Sequence, residues 1–124
     1  MSQEGNRESW TRLVVFVDSM PDPVWLEWKA FMRPLLRSAI DAGFNDRYRA
    51  GQSMHHLIFS TAERRGLESI TPPPLRVTLG RNDDHRFFVA LSRTNLWFNA
   101  PDRLDIVTAE GALSVLASYL SALE

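Results

Sequence analysis

Two adjacent histidines, His55 and His56, are the residues of this chain that most readily suggest chemistry. They lie in the stretch GQSMHHLIFSTAERRGL, residues 51–67, most of which we predict to be helical. Neighbouring residues on a helix point about 100° apart, and the positions four residues further on are Phe59 and Ser60, so the pair cannot converge on one ion. The chain also has no cysteine to complete a mixed site. We therefore predict no metal site and no other cofactor.

Polar side chains are densest around these histidines. The cluster comprises Arg47, Tyr48, Arg49, Gln52, His55 and His56. It leads into the predicted N-terminus of a helix, where free N–H groups and the helix dipole can attract an anion. The chain has no GxSxG motif, Gly-rich phosphate loop or HExxH motif, so we predict no catalytic residue. Two interpretations stay open: a small enzyme or anionic-ligand-binding protein that uses this cluster, or a solvated connection.

Two of the N-terminal segments could be helices or strands. Residues 10–20 have apolar side chains at helical spacing, which predicts a helix, although their valines would also suit a buried strand. Residues 54–65 are predicted to form a helix with Ser53 as its N-cap. The run HHLIFST within it is also compatible with a short strand.

The segment between them, residues 23–42, keeps the helical period for nearly its whole length. Pro34 removes a backbone hydrogen bond from the helix interior, so we expect a kink or a break near Met32 or Arg33. The segment ends at Gly43, followed by an apolar residue, a pattern typical of a Schellman cap.

After three consecutive prolines the apolar residues alternate along the chain, which is typical of strands. We predict an antiparallel meander of three strands, at residues 75–79, 85–91 and 94–99. Residues 101–105 are predicted to form a loop, and a last helix opens near Thr108. The predicted fold class is α+β: N-terminal helices, a three-stranded antiparallel meander, and a C-terminal helix packed on one sheet face. The length predicts a single globular domain of residues 1–124.

The sheet face turned away from the helices should be polar, yet the alternation places aromatic residues on it. The candidate residues there are Arg76, Arg86, Phe88 and Trp97. One interpretation is that the N-terminal helix or a loop covers the two aromatic side chains. The other is that they form a partner surface or a dimer interface with the arginines, since such residues are enriched at interfaces. On that interpretation the chain is a noncatalytic protein-binding or regulatory module that binds a protein partner or itself.

The charge balance bears on the class of partner. The chain has 14 basic and 15 acidic residues and a net charge of -1, which disfavours nucleic-acid binding because affinity for phosphates depends on positive charge. No apolar run is long enough to cross a membrane, so we expect no membrane insertion. No signal-peptide pattern begins the chain, and with no cysteine we expect a cytoplasmic location.

Overall fold

The computed structural model describes residues 3–53, 56–61, 75–82, 84, 86–93 and 101–123. Within these residues there are four helices and five strands. The helices are α1 (Gln3–Ser19), α2 (Leu26–Asp41), α3 (Phe44–Arg47) and α4 (Ala112–Ser121). The strands are β1 (Arg49–Ser53), β2 (His56–Ser60), β3 (Arg76–Arg81), β4 (Phe87–Ser92) and β5 (Arg103–Val107).

The five strands form one antiparallel sheet in the order β1-β2-β3-β4-β5. Each strand pairs with its neighbour in the sequence, so the sheet is a meander with β1 and β5 at its edges among the described strands. The α+β class, the N-terminal helices, the antiparallel sheet and the C-terminal helix are confirmed. The described sheet has five strands rather than three, because β1 and β5 were not predicted as strands and β2 was predicted as a strand only in the alternative to a helix.

Residues 56–60 form a strand, so the helix predicted over residues 54–65 is wrong there and its strand alternative is right. All five residues of β2 are buried. Because neither face of the strand meets solvent, its sequence lacks the alternation of apolar and polar residues that identifies a half-exposed strand. The apparent helical stripe arises from apolar residues that point alternately to the two sheet faces.

The last strand lies where a loop was predicted. β5 covers Arg103–Val107, which overlaps residues 101–105, whereas the strand predicted at residues 94–99 lies outside the described part of the chain. The sequence RLDIV does alternate, with Leu104 and Ile106 on one face. The preceding Pro101 and Asp102 favoured a turn and hid this short pattern.

The helices follow their predicted periodicity. α1 buries Trp10, Leu13 and Val17, so the helical interpretation of this segment is confirmed. α2 continues through Pro34 without interruption, so the predicted break near Met32 or Arg33 is wrong, and the alternative of a kink stays a prediction. Pro34 lies on the exposed side of the helix, where the neighbouring backbone can be solvated.

The helical segment stops at Gly43 as predicted. Gly43 has a φ of 88°, a left-handed conformation that costs glycine little because it has no Cβ. Its N–H donates to the Ile40 carbonyl at 2.9 Å, which satisfies one of the last carbonyls of α2. The chain thereby turns into α3 and then into β1.

The hydrophobic core lies between the helices and one face of the sheet, which we call the helix face. Trp10 of α1 stacks on Phe59 of β2, with ring centroids 5.1 Å apart. Phe31 of α2 stacks on Phe87 of β4 at 3.8 Å. From α4, Leu116 is fully buried in the same core cluster. The helices therefore cover the helix face of the sheet, and the opposite face carries candidate site residues.

Candidate functional site

The opposite face of the sheet, which we call the outer face, follows from the strand register. Leu57 pairs with Leu79 and Leu79 with Val89 on the helix face, so their neighbours in each strand point the other way. From β2 to β5, the outer face comprises His56, Ile58, Ser60, Arg76, Thr78, Gly80, Phe88, Ala90, Ser92, Leu104 and Ile106. The sequence alternation had placed Arg76 and Phe88 on this face, in agreement with the register.

His56 is packed within the outer face. A Cβ at Gly80 would lie 2.0 Å from Cδ2 of His56, so the imidazole lies directly over the Gly80 backbone. The same ring contacts Phe88, with centroids 5.6 Å apart, and both side chains are only 8% exposed. His56 therefore fills the space that glycine leaves in the neighbouring strand, which is a structural role.

A buried polar row crosses three strands of the outer face. Arg76 of β3 lies between Ser60 of β2 and Ser92 of β4, its register partners on either side. All three are buried, and burial lowers the pKa of the Arg76 guanidinium from its ordinary value. All three also make polar or electrostatic contacts. A guanidinium between two hydroxyl groups has the donors to hold a carboxylate, but its burial leaves little access for a ligand from solvent.

From β2 to β5, the described residues of the outer face become accessible only at β5. Leu104 is 51% exposed and Ile106 is 48% exposed, although both are large aliphatic side chains. They lie beside Ala90 and Phe88, their register partners in β4, which are buried. Exposed aliphatic side chains on an edge strand form a site at which another chain can add.

The other side of β5 is fastened to α4. The Tyr119 hydroxyl donates a hydrogen bond to Asp105 Oδ2 at 2.5 Å. The Arg103 guanidinium lies over the Tyr119 ring, 4.8 Å from its centroid. Burial, followed by the hydrogen bond to Asp105, raises the pKa of Tyr119 to about 12. These contacts hold β5 in place, so its exposed residues belong to an ordered strand.

The structure does not bring the described members of the predicted anion cluster together. Arg47 and Tyr48 precede the start of β1, whereas His56 pairs with Ser53 at the other end of that strand. Because β2 is a strand, the predicted helix N-terminus does not exist at His56. Whether any residue of this cluster binds a ligand stays a prediction.

The members of that cluster have different surroundings. Tyr48 is buried, its carbonyl accepts a hydrogen bond from Trp10 Nε1 at 2.9 Å, and the Arg47 guanidinium lies 5.4 Å from its ring centroid. Gln52 lines a cleft of about 160 Å³ between α1 and β1. These contacts fasten β1 to α1.

The remaining predicted site residues lie in a turn or outside the described residues. Arg86 is exposed in the turn between β3 and β4, where its backbone N–H donates to Asn82 Oδ1 at 3.0 Å. His55 and Trp97 lie outside the described residues. In the described ranges, no group of three histidine, aspartate or glutamate side chains is arranged to hold a metal ion. The predicted absence of a metal site at the histidine pair stays a prediction, since His55 is not described.

Leu104 and Ile106 are the residues that sequence reasoning missed. Their signal was the alternation in RLDIV, which a preceding proline obscured. Within the described residues, no helix combines the length and the apolar character needed to cross a membrane. No protein-family model, curated protein or solved structure matches this chain.

Proposed function

We propose that the chain is a noncatalytic protein-binding module that contacts its partner through β5. The contact surface, which we call the β5 surface, comprises Leu104, Ile106 and the outer backbone edge of that strand. The observation that carries the proposal is the half exposure of these two aliphatic side chains on one face of an edge strand. The expected cytoplasmic location is part of the same proposal.

The physical basis is the removal of apolar surface from water. Burying the exposed half of each side chain contributes about 1 kcal/mol per residue, at about 25 cal/mol per Å². Main-chain hydrogen bonds from an added strand would supply the register, as in other strand-addition complexes. Phe88, the buried register partner of Ile106, lies beside it on the same face. C-terminal helix α4 contacts β3, β4 and β5 from the helix face, so it lies on the opposite side of the sheet from Leu104 and Ile106.

The test compares partner capture by the natural chain and by a Leu104→Glu/Ile106→Glu variant, using quantitative mass spectrometry after affinity purification. The matched control is Val24→Glu, because Val24 is 76% exposed and lies in the turn before α2. We expect the double variant to lose the partner and the control to retain it. Recovery of the same partners by a folded double variant would contradict the proposal.

A further inference from the structure

The direction of the backbone groups of β5 follows from the hydrogen-bond ladder. Asn82 N–H donates to the Arg86 carbonyl at 2.9 Å, and these two residues continue the register that pairs Gly80 with Phe88. In an antiparallel ladder hydrogen-bonded pairs alternate with non-bonded pairs. The even-numbered residues of β4 therefore bond to β3, and the odd-numbered residues bond to β5.

The same alternation determines which backbone groups of β5 point away from the sheet. Val89 of β4 pairs with Asp105, so the N–H and C=O of Asp105 point towards β4. Those of Leu104 and Ile106 point away from the sheet, and no described strand pairs with that edge. Within the described part of the chain, β5 thus presents both aliphatic side chains and backbone donors and acceptors that no strand pairs with.

The charges of β5 are self-complementary in one antiparallel register. With Leu104 opposite Leu104 of a second copy, Arg103 lies opposite Asp105 of that copy, and the reciprocal pair forms as well. Opposite charges in directly facing cross-strand pairs stabilise a sheet, whereas like charges destabilise it. The neighbouring register, with Leu104 opposite Ile106, would place the two Asp105 carboxylates directly opposite each other. Electrostatics therefore favours the first register.

We infer that the partner is a second copy of this chain, whose β5 adds antiparallel to β5 with Leu104 at the two-fold axis. This inference rests on the proposed β5 surface and names its occupant. The Leu104 pair is a hydrogen-bonded pair, and two Arg103–Asp105 pairs flank it on the helix face. The dimer continues the meander into a single sheet across both copies. A contact built on one short strand is smaller than the roughly 800 Å² per partner of a standard interface, so the association is weak.

Disulfide trapping tests the register, because the natural chain contains no cysteine. Facing residues in a hydrogen-bonded antiparallel pair have Cα atoms about 5.5 Å apart, within the range a disulfide can span. We expect Leu104→Cys to form a cross-linked dimer under mild oxidation. Ile106→Cys is the matched control. In this register, residue 106 faces residue 102 of the second copy, which is four residues from the cysteine of that copy. We therefore expect its cross-linking to be slower by at least about tenfold.

Equal or faster cross-linking of Ile106→Cys would overturn the register. Sedimentation equilibrium of the natural chain tests the dimer itself, with association expected to rise with concentration and to be lost in Leu104→Glu/Ile106→Glu. A chain that stays monomeric up to about 1 mM, a very weak limit of affinity, would overturn the second-copy inference. In that case, loss of a different protein partner by Leu104→Glu/Ile106→Glu would still support the proposed β5 surface. If the double variant captured that different partner as well as the natural chain does, the proposed function would fail too.

Discussion

Replacing Gly80 by alanine should destabilise the protein because the new methyl group would collide with His56. A Cβ at Gly80 would lie 2.0 Å from Cδ2 and 3.0 Å from Cγ of that imidazole. Cγ stays close to the backbone, so rotating the ring does not remove the conflict. The ring also packs against Phe88 and is only 8% exposed, which leaves it little room to move. Forcing an extra methyl group into such a site costs about 1–3 kcal/mol.

The sign of the effect should reverse once the imidazole is removed. In a His56→Ala background the added methyl group has space, and alanine is favoured over glycine within a strand by about 0.5–1 kcal/mol. The interaction energy between the two positions is therefore about 1.5–4 kcal/mol. Urea unfolding of the natural chain, both single variants and the double variant, followed by tryptophan fluorescence, measures it.

Gly111→Ala is the control, because a Cβ there meets Thr108 Oγ1 at an ordinary 3.6 Å. We expect that change to alter the free energy of unfolding by less than about 0.5 kcal/mol. An equal cost of Gly80→Ala with and without the His56 side chain would refute the reasoning. It would mean that the imidazole does not lie over Gly80, and that residues 56–60 are not placed as described.

Three further predictions concern α4 and β5. Leu116→Ala should lower the free energy of unfolding by about 2–5 kcal/mol because the side chain is fully buried. The control Ser118→Ala, at an exposed position of the same helix, should change it little. Equal denaturation midpoints for the two variants would contradict the packing of α4. The folded pKa of Tyr119 is raised to about 12, above its usual value near 10. The contribution of its protonated hydroxyl to the free energy of unfolding is therefore complete below pH 10 and declines between pH 10 and 12. The stability difference from Tyr119→Phe should shrink by at most about 2 kcal/mol over that interval, and a difference independent of pH would rule this out. Arg103→Asp and Asp105→Arg should each weaken self-association, as measured by sedimentation. Mixing the two variants should restore association, since only the mixed pair places opposite charges across from each other. Failure of the folded variants to associate on mixing would count against the register.

The two long helices that were predicted correctly, α1 and α2, each have one side that meets solvent. α1 and α2 show helical periodicity because their outer sides are polar, and Gly43 marks a stop that requires a left-handed backbone. β3 and β4 lie close to their predicted positions. β2 and β3 are both buried on two faces, but only β3 keeps polar residues, Arg76 and Thr78, in alternation with apolar ones. β2 was missed because the apolar run from Leu57 to Phe59 interrupts the alternation.

The candidate site was predicted only in part. The alternation placed Arg76 and Phe88 on the outer face, but it could not show that both are buried, because burial depends on tertiary packing. The polar cluster around His56 depended on a helix that is a strand. Leu104 and Ile106 lie in a segment of five residues, too short for a periodic pattern to outweigh the turn signal of Pro101.

Backbone amide exchange tests the central claim, that the outer edge of β5 is an open pairing edge taken by a second copy. Exchange of individual amide protons would be measured by NMR from about 10 μM to about 1 mM, the range over which a weak complex forms. We predict that protection of the Leu104 and Ile106 amide protons rises with concentration. The Asp105 amide proton, already bonded towards β4, should stay protected throughout. Exchange at Leu104 and Ile106 that is independent of concentration would contradict the account.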